Sequence, residues 1–564
     1  MTSRGPSTRP AGAGAATGRR RLAVSRRELI AASGGALLAG AALTTPAHAR
    51  LIAGARGISP GAFLDGVASG EPAPDAVTLW GRIASERPRA AARLIVAADP
   101  ELTRVVATAL VPTSAGVDHT LKARIGGLEP DTRYWYAWQS RDALSPIGRT
   151  RTAPAPDSAR AVTVGFSSCQ RYGDGFFNAH RDAAARDDLD LYAFLGDYTY
   201  EYEDAGDAEI GRGPDPASTD LGSYRAKLRL YRADPHLREL HRLHPVVHVW
   251  DDHEVADNYS DGDPAPSAQQ RTAGYRASFE WMPRLSVPGD RMRLFRAWRL
   301  GRHAELFMLD ERQYRTPGEP GSTMLGRRQL DWLKAGLSAS QASWKLVGNP
   351  VMMALLGFNG PGGGLSFNRD QWDGYTGERD ELLAHIGAGP IADVAFLTGD
   401  IHMYFANELP VDSKPGSGSP VVATEYVGGS VTSTGIPSWL EGLGNAAIRA
   451  INPQIRYLQG AEHGWAVLRA SADELRVDYR ASDIRVAGAP LTTIASFAQA
   501  RGSNRITQVT GGERSMTLGE DRAARAAVTG SALAARRGRF AAFGSAPRTV
   551  AARAARATAR GGRR

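Results

Sequence analysis

Cysteine is almost absent from this chain: of 564 residues, Cys169 alone carries a thiol. A single cysteine excludes an internal disulfide framework and leaves three roles for that side chain: a small core residue, a reactive thiol or a metal ligand. Acidic residues are scarce at both ends. The first 49 residues hold seven arginines against Glu28, and residues 522–564 hold eleven arginines and no acid. The formal charge of +9 therefore comes from the termini, and residues 50–521 are net acidic. Because these basic residues do not share a folded face, no specific nucleic-acid binding is expected. Also lacking is an uninterrupted apolar run of roughly 20 residues, the length that crosses a bilayer as a helix.

What is present begins with a targeting pattern. Ser25-Arg26-Arg27-Glu28 precedes an Ala/Leu/Gly-rich stretch from Leu29 to Leu43, and Ala47-His48-Ala49 follows as a small-x-small cleavage site. Residues 1–49 thus read as a twin-arginine export signal. The expected partner is the twin-arginine export machinery. The expected location is periplasmic, extracellular or cell-wall associated. At the other end, residues 520–564 read as a basic Ala/Arg-rich tail, disordered or a frayed helix, that could attach to an anionic membrane or wall polymer.

Two grammars divide the body. Residues 60–152 are β-rich, with short strands such as Val77–Trp80 and Arg93–Val96 between Pro/Asp/Gly turns. Leu128-Glu129-Pro130-Asp131-Thr132-Arg133-Tyr134-Trp135-Tyr136 resembles the turn of fibronectin type III modules, so an all-β Ig/fibronectin III-like sandwich is expected there. From 160 to 485, apolar strands alternate with helical patterns: strands at 162–168, 189–195, 246–250, 305–309, 344–347, 394–397 and 421–427, helices at 176–185 and 325–337. This is mixed α/β layering around a buried sheet.

The polar residues fall at strand ends. The strand at 162–168 runs into Cys169, and that at 189–195 into Gly196-Asp197-Tyr198-Thr199-Tyr200. The strand at 246–250 runs into Asp251-Asp252-His253-Glu254, with Asn258 beyond, and that at 394–397 into Gly399-Asp400-Ile401-His402. Ligands of layered α/β proteins bind at the carboxyl ends of strands. Carboxylates, imidazole, thiolate and phenolate gathered there repel one another unless cations lie between them. Thiolate with phenolate favours Fe³⁺, a carboxylate-rich neighbour favours Ca²⁺ or another hard divalent ion, and Asp197 is suited to bridge. His236, His241, His244 and His248 lack zinc-site spacing and read as surface residues of a helix and strand. Gly362-Gly363-Gly364 lacks a following Lys-Ser/Thr and reads as a loop rather than a phosphate cradle. Asp310, Arg312 and Arg315 could orient phosphate or form a structural ion pair, and His463 reads as structural.

Several motifs in this order resemble PhoD-like alkaline phosphatases, members of the metallophosphoesterase superfamily. They include Ser168-Cys169-Gln170, Gly196-Asp197-Tyr198-Thr199-Tyr200-Glu201, Trp250-Asp251-Asp252-His253-Glu254 and Thr398-Gly399-Asp400-Ile401-His402. Leu309-Asp310-Glu311-Arg312-Gln313-Tyr314-Arg315, Trp344-Lys345-Leu346-Val347-Gly348-Asn349 and Trp372-Asp373-Gly374-Tyr375 belong to the same pattern. The resemblance spans residues 60–485. It implies a four-layer αββα metallophosphoesterase-like domain with an Fe³⁺–Ca²⁺ site. Cys169, Tyr200 and His402 would hold iron, Asp197 would bridge, and Asp252 and Asp400 would face calcium, with Asn258 a weaker candidate. His253 would be the catalytic histidine, contacting the phosphate or protonating the leaving oxygen, and a metal-bound hydroxide the nucleophile. The family departs here at Glu71, where Asp is usual, and at Pro350, where Gln is commoner. The expected function is secreted, metal-dependent hydrolysis of phosphate esters. Phospholipase D activity is the near alternative, and a non-catalytic, calcium-stabilised surface adhesin the alternative of another class.

Overall fold

The computed structural model describes residues 36–39 and 62–509, apart from residues 142, 261–262, 318–320, 358–367, 414–416 and 436–437. The arginine pair and cleavage site of the expected export signal, the Gly362-Gly363-Gly364 loop and the basic tail lie outside these residues.

Strand-forming sequence here is apolar on both sides of the backbone, and the fold uses both. In Val162–Ser167, Val162, Val164 and Phe166 point into a core between two sheets. In Leu191–Leu195, Leu191, Ala193 and Leu195 do the same, while Tyr192 and Phe194 point the other way against helices. Period-two alternation with both faces covered reads as a continuous hydrophobic run. Among the described residues, the first sheet has 11 strands and the second has seven. The outer face of the first is covered by the helices Asn178–Ala184, Leu221–Arg232, Pro235–Leu243 and Ala268–Trp281. The outer face of the second is covered by Gly326–Ala339 and Thr376–Ala388. Helix, sheet, sheet, helix is the layering.

Capping chemistry starts the helices beside the site. Asp220 and Ser223 form a reciprocal capping box on Leu221–Arg232, and Asp234 caps Pro235–Leu243 with proline in the first turn.

The N-terminal strands enclose their own core between a five-stranded sheet and the strands Val67–Ala73, Ala76–Arg82 and Thr120–Gly126. Those three strands are not closed off. Val67–Ala73 pairs in parallel with Pro245–Val249, through Ser69 opposite Pro245 and Gly70 opposite Val246, so they extend the first sheet. At its far end this sheet runs through Thr492–Ala500 to Thr507–Val509.

The reading of the histidine run as surface residues is overturned. His241, His244 and His248 are buried, and His236 is half-buried. His241 lies on the inward face of its helix, stacked on Phe194 and 2.9 Å from the Tyr198 hydroxyl. His244 reaches the Ala184 carbonyl and His248 faces Glu254 at 3.4 Å. The His241 and His244 rings present apolar edges to the core and find polar partners within it, whereas neither His248 ring nitrogen makes a hydrogen bond among the described residues. They form no metal-ligating group among the described residues.

Candidate active site

The central strands of both sheets end in one cleft. Val162–Ser167, Leu191–Leu195 and Pro245–Val249 run parallel in the first sheet, and Val394–Thr398 faces them from the second. The chain turns sharply at each end. Cys169, Asp197, Asp400 and His402 all have positive φ, between 52° and 65°. For side chains other than glycine this region is strained, and such strain is kept where surrounding contacts enforce it. Two glycines make the turns possible. A Cβ on Gly196 would lie 2.5 Å from the Asp251 Cβ, and one on Gly399 would lie 2.5 Å from the Ser168 Cβ. The turns lock together as Cys169 N–H donates to the Gly196 carbonyl and Gln170 N–H to the Asp197 carbonyl.

All seven sequence-derived site residues meet here. Donor atoms of Cys169, Asp197 and His402 lie within 4.8 Å of one another, as do those of Asp197, Asp252 and His253, and those of Asp251, Asp252 and Asp400. Asp197 and Asp252 each belong to two groups, so the three form one chain of donors. The Tyr200 hydroxyl donates to Asp197 Oδ2 at 2.9 Å and lies 3.3 Å from His402 Nε2. His402 Nδ1 faces the Thr434 carbonyl at 2.9 Å. A carbonyl only accepts, so Nδ1 carries the proton and Nε2 keeps its lone pair for the cleft. Burial lowers this imidazole to about 4, which keeps it neutral.

The electrostatics are those of donors waiting for positive charge. Burial pushes the Cys169 thiol well up, and the Asp197 carboxylate adds to the shift. Burial likewise raises Tyr200, reinforced by Asp197 and Cys169. Burial raises Asp400 to about 6, with Asp252 and Asp370 adding to it. Among the described residues, the buried atoms Asp197 Oδ1 and Asp252 Oδ1 have no hydrogen-bond partner. A cation is the group that satisfies such oxygens and returns thiol and phenol to their ligating anions. The donor set therefore fits the metals that the resemblance implies.

His253 sits beside this cluster. Burial alone would lower it, but Asp252, Asp197 and Glu201 outweigh that and raise it well above the usual imidazole value. Asp251 belongs to the third of these donor groups: its Oδ1 accepts from Arg312 Nε at 2.6 Å, and its buried Oδ2 has no hydrogen-bond partner among the described residues. Arg312 and Arg315 are fully buried and share Asp370, at 2.7 and 2.5 Å, an ion-pair arrangement that braces the loops around the site. Asp310 takes bonds from the Trp250 indole and the Arg312 backbone. Asn258 stays at the exposed rim, its N–H on Asp252 Oδ2. His463 bonds Ser430, in the loop that carries Ser433. The Pro350 carbonyl accepts from Gly399 N–H.

Sequence reasoning gave no role to several residues that shape the cleft. One Glu254 carboxylate accepts from the backbone N–H groups of Asp197, Tyr198 and Asp251. The Ser433 hydroxyl donates to the Tyr200 oxygen at 2.7 Å, and the Gln371 amide donates to Asp400. Glu254 stands beside the predicted ligands, but its backward reach has no local signature. Ser433 and Gln371 come from distant segments.

Two sheets deliver acidic, thiol and imidazole donors to one cleft, and comparison with known proteins gives the class: a phosphoric ester hydrolase. Residues 164–479 match the family model of the PhoD-like phosphatase, and residues 49–154 match that of its N-terminal domain. The chain is 32% identical over 474 residues to alkaline phosphatase D of Bacillus subtilis (strain 168), covering 77% of this chain and 80% of that one. It is similar to a solved structure of PhoD, with a TM-score of 0.74 and 28% identity over 85% of this chain and 99% of the other. The chain belongs to the PhoD-like phosphatase family.

Proposed function

We propose that the protein is an exported alkaline phosphatase and phosphodiesterase that works with Fe³⁺ and Ca²⁺. The observation that carries this is the convergence of thiol, phenol, imidazole and carboxylates around buried carboxylate oxygens that lack a hydrogen bond among the described residues. In this reading Cys169, Tyr200 and His402 would hold iron, Asp252 and Asp400 would hold calcium, and Asp197 would serve both. When bound, the metal pair supplies Lewis-acid charge to the phosphoryl oxygens and acidifies water. The chain's own part is positioning. Ser433 and Asp197 orient the Tyr200 oxygen, Thr434 sets the His402 tautomer, and His253 donates a proton to the leaving oxygen. Residues 1–49 serve as the twin-arginine signal, 60–152 as an Ig/fibronectin III-like sandwich, 160–485 as the catalytic domain and 520–564 as a surface-binding tail. Family membership removes the adhesin alternative.

The test is turnover of a soluble monoester, a soluble diester and phosphatidylcholine by natively exported protein, before and after chelation, with metal analysis of the same sample. The expected result is hydrolysis of soluble esters, lost on chelation, with roughly one iron per chain. Preferential cleavage of phosphatidylcholine would make it a phospholipase D. Full turnover by iron-free protein would overturn the metal assignment.

A further inference from the structure

We propose that Glu201 is the positioning residue for His253, holding the imidazole with Nδ1–H on its carboxylate and Nε2 turned to the cleft. This rests on His253 being the proton donor to the leaving group. Three sets of contacts carry it.

His253 Nδ1 lies 2.9 Å from Glu201 Oε2. Glu201 Oε1 accepts from Asp257 N–H at 2.7 Å, so both carboxylate oxygens are engaged and the group cannot swing away. The neighbouring backbone is held as firmly. The Glu201 carbonyl accepts from Ser218 N–H, and the carbonyls of Tyr200 and Tyr202 both accept from Lys227 Nζ. Lys227 is in turn paired with Asp215 at 2.9 Å in a bridge that is almost wholly buried. Finally, the ring is gripped. Tyr200 lies against its face at 4.3 Å between centroids and Tyr202 meets it edge-on at 5.4 Å. Nε2 is 3.9 Å from both Asp252 Oδ2 and Asp257 Oδ1, beyond hydrogen-bond reach of either.

A carboxylate facing Nδ1 accepts only, so the Nδ1 proton stays there through turnover. The transferable proton is then the one on Nε2. In the hydrolytic step a water oxygen forms the new bond to phosphorus and its surplus proton passes to solvent. The bond from phosphorus to the leaving oxygen breaks with its electron pair on that oxygen, which takes the Nε2 proton. Solvent then returns a proton to Nε2. Without Glu201 the ring can turn or change tautomer, and the donor is misaimed.

The test compares Glu201→Gln, His253→Gln and the double variant on monoesters whose leaving alcohols range from 4-nitrophenol to simple alkyl alcohols. A glutamine offers one oxygen where two N–H groups need acceptors. Proton donation matters most for poor leaving groups. Glu201→Gln is expected to lose about 10–100-fold in kcat on alkyl esters and little on the 4-nitrophenyl ester. The double variant is expected to be no worse than His253→Gln. Metal content should stay at the wild-type level in all three. If His253→Gln is steep across the leaving groups while Glu201→Gln is uniform, or if the two losses multiply, the Glu201 role is wrong. If His253→Gln is itself uniform, the proton-donor reading of His253 fails instead. Should Glu201→Gln not fold, Glu201→Asp serves in its place: a leaving-group-dependent loss supports the proposal and a uniform one overturns it.

Discussion

Glu254 shows how much one side chain contributes at the residue scale. Its buried carboxylate ties the turn at Asp197 to the start of the Asp251–His253 segment through three backbone N–H groups. Glu254→Ala leaves those donors unpaired, each costing about 1–3 kcal/mol where water cannot reach it. Urea unfolding should report a loss of at least that size, and metal analysis should report reduced iron. A second prediction concerns the buried histidines. Burial lowers His180 to about 3, and lowers His241 and His244 well below their usual value. The unfolded chain takes up these protons from about pH 6.5 downward, while the folded chain resists. Stability is therefore fully present above that value and falls as acid is added, until the folded groups also titrate. His244→Gln should flatten the dependence between pH 6.5 and 5 by up to about 1.4 kcal/mol per pH unit, as followed by denaturant unfolding at several pH values. Legibility at this scale was uneven. Cys169, Asp197 and Asp400 announced themselves by directly following apolar strands. His241, His244 and His248 were misread because a histidine in a mixed sequence carries no mark of which way it faces.

At the scale of elements, the decisive features are the turns that leave the strands. Gly196 has φ 96° and no room for a methyl group against Asp251. Gly196→Ala should separate the turns that carry Asp197 and Asp252, with about 1–3 kcal/mol of backbone strain added to the clash. Thermal denaturation should show a lowered midpoint, and metal analysis a loss of iron. Strand positions were readable because both faces of the sheets are buried, which leaves runs such as Leu191-Tyr192-Ala193-Phe194-Leu195. Ends were less readable. The helix expected at 176–185 spans Asn178–Ala184, and the strand expected from 189 begins at Leu191. Hydrogen bonding rather than hydrophobicity sets those limits. The bracing of Arg312 by Asp251 and Asp370 was beyond reach, since those partners come from separate loops.

For the whole molecule, the first sheet crosses from the N-terminal strands into the catalytic core at Ser69 and Gly70. Asp118 of the N-terminal part also binds Arg229 and Trp281 from the helical layer. Calorimetry should therefore show one cooperative transition, and two separated transitions would contradict this continuity. Nothing in the sequence disclosed the shared sheet, because strand pairing across 170 or more residues leaves no local pattern. The basic tail belongs to this scale too. Deleting residues 522–564 should weaken association with anionic vesicles at low salt and leave turnover of a small ester unchanged, as sedimentation and an activity assay would show. Beneath these expectations lies one claim, that donors from both sheets share a pair of cations. Anomalous diffraction from crystals of the natively purified protein, recorded at the iron edge, addresses it directly. The account predicts a peak within bonding distance of Cys169 Sγ, Asp197, the Tyr200 oxygen and His402 Nε2. A peak elsewhere, or bound iron that touches none of these four, would contradict it.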